Sequence, residues 1–102
     1  MISKETFVKM MLDLQNLDAK MDAVDTALKN LNSDFCGFYI TSVFEITLDL
    51  LTEAMNDTDE WIYYFVYERN WLQNFELGDV IINGNHINIR NWEDVYDLIV
   101  GE

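Results

Sequence analysis

Apolar positions recur along the first thirty residues with a helical period. Phe7, Met10, Leu14, Leu17, Met21, Val24, Leu28 and Leu31 follow one another at spacings of 3, 4, 3, 4, 3, 4 and 3. That is an a/d pattern over nearly four heptads, and it predicts one helix from Lys4 to Asn30, roughly 40 Å long at 1.5 Å per residue. Ser3 is its expected N-cap, with Glu5 in the first turn. Val8, Met11 and Leu12 widen the apolar surface near the N-terminus, which suits packing within the chain. The narrower seam beyond Leu17 suits either that or a coiled coil with a second copy. Intramolecular packing, and so a monomer, is the expectation. Asp18, Asp22 and Asp25 line an outer stripe that only Lys29 relieves.

Asn30–Asp34 (NLNSD) predicts a turn, with Ser33 or Asp34 capping the next helix. The stretch after it is the most apolar in the chain. Phe44–Leu50 alternates as a strand does, yet Phe38–Met55 contains no Gly, Pro or Asn to make a turn. Strands seldom run so long, so a helix is expected. At about 100° per residue, Cys36, Tyr39, Ile40, Val43, Phe44, Leu50, Leu51, Ala54 and Met55 fall on one broad arc. Glu45, Asp49 and Glu53 form a ridge opposite. Asp57 and Glu60 then read as a capping box for a second central helix. Its residues Trp61–Tyr67 are apolar nearly all round and are expected to be buried.

The chain loosens after Trp71 and reaches a hairpin over Asp79–Arg90. A type I′ turn at Asn83-Gly84 would set Val80 opposite Ile87 and Ile82 opposite Asn85. A type II′ loop at Gly84-Asn85 would pair Ile82 with Ile87 and Val80 with Ile89. The second register is preferred, because it collects four apolar residues on one face. Asn91 caps a last helix, with Glu93 and Asp94 in its first turn and Val95, Tyr96, Leu98 and Ile99 docking it. The expected class is α+β, mostly α: a long N-terminal helix, two central helices, one β-hairpin and a C-terminal helix, in a single domain over residues 1–102.

Charge changes this picture. The net charge is −13, from 19 acidic against 6 basic residues. No Lys or Arg lies between Lys29 and Arg69, while Asp34, Glu45, Asp49, Glu53, Asp57, Asp59, Glu60 and Glu68 do. Like charges four apart on a helix cost roughly 0.2–0.5 kcal/mol per pair, so a ridge shaped for stability alone would include a base. The balance argues against direct binding of nucleic acid or an anionic membrane, and for a basic partner such as a nucleic-acid-binding protein surface. A face that merely keeps the protein soluble is the competing explanation.

Catalytic chemistry is sparse. Cys36 is the only cysteine and His86 the only histidine. A disulfide and the common zinc sites are therefore ruled out within one chain. Cys36 is expected to be a buried small hydrophobe and His86 a surface residue. No phosphate-binding glycine loop or nucleophile elbow occurs. Asp57, Asp59 and Glu60 lack the spacing of an EF-hand loop, and capping explains them better than a cation. No catalytic residue, metal or cofactor is expected. The opening MISKETF has no apolar h-region and the longest apolar run is too short to span a bilayer, so a cytoplasmic protein is expected.

Three pieces carry a resemblance: Glu60–Glu68 (EWIYYFVYE) after an acidic break, the Asn83-Gly84 hairpin, and Asn91–Ile99 (NWEDVYDLI). Together they resemble small acidic proteins encoded by phages and prophages of Gram-positive bacteria. Phage genomes of that kind also supply anti-CRISPR proteins, and this chain is similar to them in size and charge. The resemblance implies an acidic inhibitor that binds a basic surface of a host defence protein, a CRISPR effector nuclease being the best-known case. Carboxylates on rigid helices would then stand in for phosphates as a DNA mimic does. The candidate partner-binding residues are Glu45, Asp49 and Glu53, extended by Asp57, Asp59 and Glu60 and by Asp18, Asp22 and Asp25, with Phe38 as an apolar anchor. The alternative is a homo-oligomeric structural or assembly protein built on the N-terminal heptad helix.

Overall fold

Ser3 starts the first helix as expected: its hydroxyl accepts the Thr6 N–H at 3.2 Å. The structure is a computed structural model and describes residues 1–31, 37–75 and 78–101, the side chains of 37–41 and 74 excepted. The Ser33 or Asp34 cap, the burial of Cys36, Tyr39 and Ile40, and the Phe38 anchor all lie outside the described residues. Helix α1 spans Lys4–Asn30 and α2 spans Gly37–Ala54. A short helical turn α3, Trp61–Tyr63, runs straight into a π-helical turn, Tyr64–Glu68. A further turn α4, Leu72–Phe75, leads to strands β1, Gly78–Ile82, and β2, Asn85–Ile89, and then to α5, Trp92–Val100. The fold is α+β and mostly α.

The core forms where the N-terminal half of α1 meets α5, α2 and the hairpin. Phe7, Met11 and Leu14 are the buried residues of α1. Trp92 is the hub: Phe7, Trp71 and Phe75 present their rings to it edge-on, at centroid distances of 6.4, 5.6 and 5.3 Å. Such T-shaped contacts set the positive edge of one ring on the negative face of the next. The Trp92 indole N–H donates to Gln15 Oε1 at 3.3 Å, and the Lys4–Asp97 ion pair at 2.7 Å ties α1 to α5 from outside. Asn91 caps α5 by accepting the Asp94 N–H at 2.9 Å. None of the described helices is long and apolar enough to cross a membrane.

Three expectations change. On α2 the buried stripe is Phe44, Leu48, Leu51 and Met55, while Val43, Leu50 and Ala54 are exposed. The broad arc had merged two stripes, of which the fold packs one. The Trp61–Tyr67 segment is not buried all round: Ile62, Phe65 and Val66 are, Tyr63 and Tyr64 are half-buried and Tyr67 is exposed. The hairpin takes the other register, with Val80 opposite Ile87 and Ile82 opposite Asn85. Asn83 and Gly84 both have positive φ, 52° and 79°, as a type I′ turn requires. The two registers differ by two residues, and a two-residue slip leaves every side chain on its face. Burial therefore did not discriminate between them, and turn chemistry decided.

A left-handed stretch of backbone precedes the hairpin. Asn70, Trp71, Leu72, Gln73 and Phe75 all have φ between 48° and 62°. Left-handed backbone costs roughly 1–2 kcal/mol for a residue with a Cβ. It is offset here by the burial of Trp71 and Leu72 in the core.

The turn assignment has a direct test. In the observed register Asn83→Val places a β-branched residue at positive φ and is expected to destabilise the protein by about 1–2 kcal/mol. A thermal or urea melt measures it. An unchanged or raised midpoint would mean that Asn83 is a strand residue.

Candidate protein-binding face

The carboxylates of α2 do not stand alone. Asp57 ends the connection after α2, and its carboxylate accepts the Trp61 N–H at 3.0 Å and the Ile62 N–H at 2.9 Å. That cap turns the chain back antiparallel to α2. The next two exposed edges then meet in reverse order. Tyr63 donates its hydroxyl to Asp49, and Tyr67 donates to Glu45 at 2.5 Å. Four residues separate the tyrosines and four separate the acids, so each pair sits one turn from the other on both elements. The tyrosine rings stack, with centroids 5.8 Å apart and planes 25° from parallel.

Burial and the adjoining carboxylates hold both phenols well above the ordinary phenol range, so each keeps its proton. Each phenol fills one acceptor site of its carboxylate and leaves the others open. The bond also fixes the rotamer of an otherwise floppy acid. From α1, Asp18 joins the same face. Partial burial and Asp22 raise its pKa, against the opposing influence of the Trp71 indole, and its charge reaches Tyr67.

The sequence-derived set therefore divides. Glu45, Asp49 and Asp18 come together around the two tyrosines, with exposed Asp22 beside Asp18. Glu53 continues the ridge, exposed, beyond the tyrosines. Asp59 and Glu60 are exposed and line, with Tyr63, Tyr64, Tyr67 and Glu68, an adjacent open groove of about 330 Å³. Glu60 has φ 57° and makes no side-chain cap, so only the Asp57 half of the expected capping box forms. Asp57 itself is 4% exposed with both oxygens engaged by N–H groups, which makes it a structural residue with no surface to offer a partner. Burial raises its pKa, against the pull of those two bonds. Asp25 is exposed and pairs with Lys29 one turn on, at 2.9 Å. The ion pairs seen among the described residues, Lys4–Asp97, Lys9–Asp13, Asp25–Lys29 and Arg90–Asp94, all lie off α2. No three His, Cys, Asp or Glu side chains among the described residues converge as metal ligands do.

Sequence reasoning missed Tyr63, Tyr67 and Trp71 as parts of this face, having assigned the tyrosines to the core. Matching i, i+4 spacings of phenols and carboxylates on two successive helices were the available signal. No family model, curated protein or solved structure matches the chain.

The tyrosine–carboxylate pairs predict an alkaline signature. A phenol whose folded pKa lies above its unfolded value of about 10 stabilises the fold below that pH, and the contribution is lost as pH rises through the folded pKa. Wild-type protein is thus expected to lose stability above about pH 10 more steeply than a Tyr63→Phe, Tyr67→Phe double variant. Ultraviolet difference titration alongside melting curves measures both. Equal alkaline slopes would mean that the phenols are not engaged.

Proposed function

We propose that this protein is an acidic binding protein whose α2 face occupies a basic, nucleic-acid-binding surface of another protein. The observation that carries this reading is the pair of carboxylates, Glu45 and Asp49, that accept from phenols and form no ion pair among the described residues. Carboxylates already oriented lose little side-chain freedom when a Lys or Arg arrives, and Arg takes such groups by charge-assisted, bidentate bonds. Preorganised anions on a helix are what a phosphate substitute needs. The resemblance of its sequence pieces to phage-encoded proteins of Gram-positive bacteria favours a partner among the cytoplasmic defence proteins of a host. An RNA-guided nuclease, with its positively charged channel for nucleic acid, is the first candidate. Binding there is non-enzymatic and needs no cofactor.

The test separates folding from binding. Glu45→Gln, Asp49→Asn and Glu53→Gln together remove three charges and keep acceptors for both tyrosines. The free triple variant is expected to melt at the same temperature or slightly higher, because like-charge repulsion is relieved. Inhibition of DNA cleavage by purified RNA-guided nucleases is expected from wild type, to weaken with salt, and to be lost or much reduced in the triple variant. No effect on any nuclease would remove that class of target. A triple variant as potent as wild type would remove the acidic ridge.

A second reading, a homo-oligomer, is favoured by one observation: α1 outruns the core, leaving Val24 and Leu31 37% and 75% exposed. Light scattering at micromolar concentration decides it. A mass near 12 kDa is expected for a monomer. A dimer that Val24→Asp and Leu31→Asp dissociate into folded monomers would establish the assembly reading.

A further inference from the structure

Helix α2 carries a second apolar stripe that the fold leaves bare. Val43, Ile46 and Leu50 are 56%, 57% and 60% exposed. Their spacing of 3 and 4 continues by a further 4 to exposed Ala54, a helical period like that of the buried stripe Phe44, Leu48, Leu51 and Met55. Solubility is a reason to expose carboxylates, but it is no reason to expose three aliphatic side chains in register beside them. The two ridges are neighbours. At 3.6 residues per turn Ile46 lies about 20° around the helix from Glu53 and about 60° from Asp49. The outward half of α2 is therefore one aliphatic row flanked by one carboxylate row.

Two occupants would cover aliphatic side chains in a row: a second copy of the chain, or a helix from another protein. A second copy brings the same stripe and with it the same ridge, so Glu45, Asp49 and Glu53 of both copies would crowd one seam. Nothing between Lys29 and Arg69 supplies a cation to relieve them, and each copy has a net charge of −13. A helix with aliphatic residues at i, i+3 or i+4, and i+7, and with Lys or Arg along one flank, satisfies both rows at once.

We propose that the outer face of α2 docks a basic amphipathic helix of the partner, with Val43, Ile46 and Leu50 against its apolar face and Glu45, Asp49 and Glu53 against its basic flank. This rests on the acidic-face reading above and adds the partner's shape and chemistry to it. The helix also explains why the acids are placed at the edge of the stripe and not across it. Charges at the margin of an apolar contact keep water on one side and avoid full desolvation.

The experiment uses two fluorescein-labelled 18-residue peptides of Leu and Lys with the same composition. One has its Leu at helical spacing; the other is scrambled so that no apolar face forms. Anisotropy at two ionic strengths measures binding to wild type, to an Ile46→Ser, Leu50→Ser variant, and to the triple amide variant. Both substituted positions are exposed, and circular dichroism checks that each variant keeps its helices. Wild type is expected to prefer the patterned peptide by about tenfold or more, the scale set by burying a few aliphatic side chains. The serine variant is expected to bind both peptides equally, at the scrambled peptide's affinity. The triple amide variant is expected to show a smaller salt dependence than wild type with both peptides. Equal binding of the two peptides by wild type overturns the helix proposal while leaving the acidic face standing. Binding of neither peptide overturns both. A wild-type dimer that Ile46→Ser, Leu50→Ser dissociates assigns the stripe to a second copy and overturns the proposal.

Discussion

The face of this protein depends on a buried carboxylate that meets no cation. Asp57 accepts two backbone N–H groups at the start of α3, where the helix dipole also favours negative charge. Around it the chain closes a tight turn: Asp57 N–H donates to Thr52 O at 3.0 Å and Glu60 N–H to Asp57 O at 3.2 Å. Removing Asp57 from water opposes its ionisation, and the N–H pair offsets that cost. The consequence reaches two helical turns further on. Only if the chain reverses there do Tyr63 and Tyr67 lie back over Asp49 and Glu45. A residue that looks from the sequence like one more surface acid is the pivot by which the other acids are oriented.

Where one local signal dominated, the sequence was sufficient. The bounds of α1 follow from its heptads and from Ser3, and the start of α5 follows from Asn91. Where two signals compete, one of them misleads. In the hairpin, Asn-Gly turn chemistry outweighs the pairing of apolar residues, because both registers gather Val80, Ile82, Ile87 and Ile89 on one face. In α2, apolarity on nearly two faces gave no means of choosing the buried one. That choice belongs to tertiary packing: Phe44 meets Trp71, with centroids 6.0 Å apart, and Trp71 is brought there by backbone that no propensity scale encodes. The left-handed turn from Asn70 to Gln73 was invisible for the same reason.

The tyrosines were misassigned because they are two things at once. Each ring is an apolar body and each hydroxyl a polar tip, so hydropathy counts them with the core although their tips work at the surface. The segment also widens into a π-helical turn: Arg69 N–H bonds to Tyr64 O at 3.0 Å, five residues back. The division of the side chains nevertheless follows the ordinary helical period: at 100° per residue Ile62, Phe65 and Val66 share an arc of about 100°, and Tyr63 and Tyr67 lie together beside it.

The two rows on α2 would also act at different moments of an encounter. Carboxylates at the margin attract a basic surface from a distance, so they set the rate of association and its dependence on salt. Aliphatic side chains are felt only on contact, and differences in their burial fall on the rate of dissociation. Tyr63 and Tyr67 sit between these roles. By holding Asp49 and Glu45 in one orientation they reduce the ordering that binding must impose, but each also occupies an acceptor site that a guanidinium would otherwise take. A cation arriving at the ridge would therefore approach from the side away from the phenols, which is the side of Ile46 and Leu50. On the proposed reading, the same hydrogen bonds that stiffen the acidic ridge would direct its partner onto the aliphatic stripe.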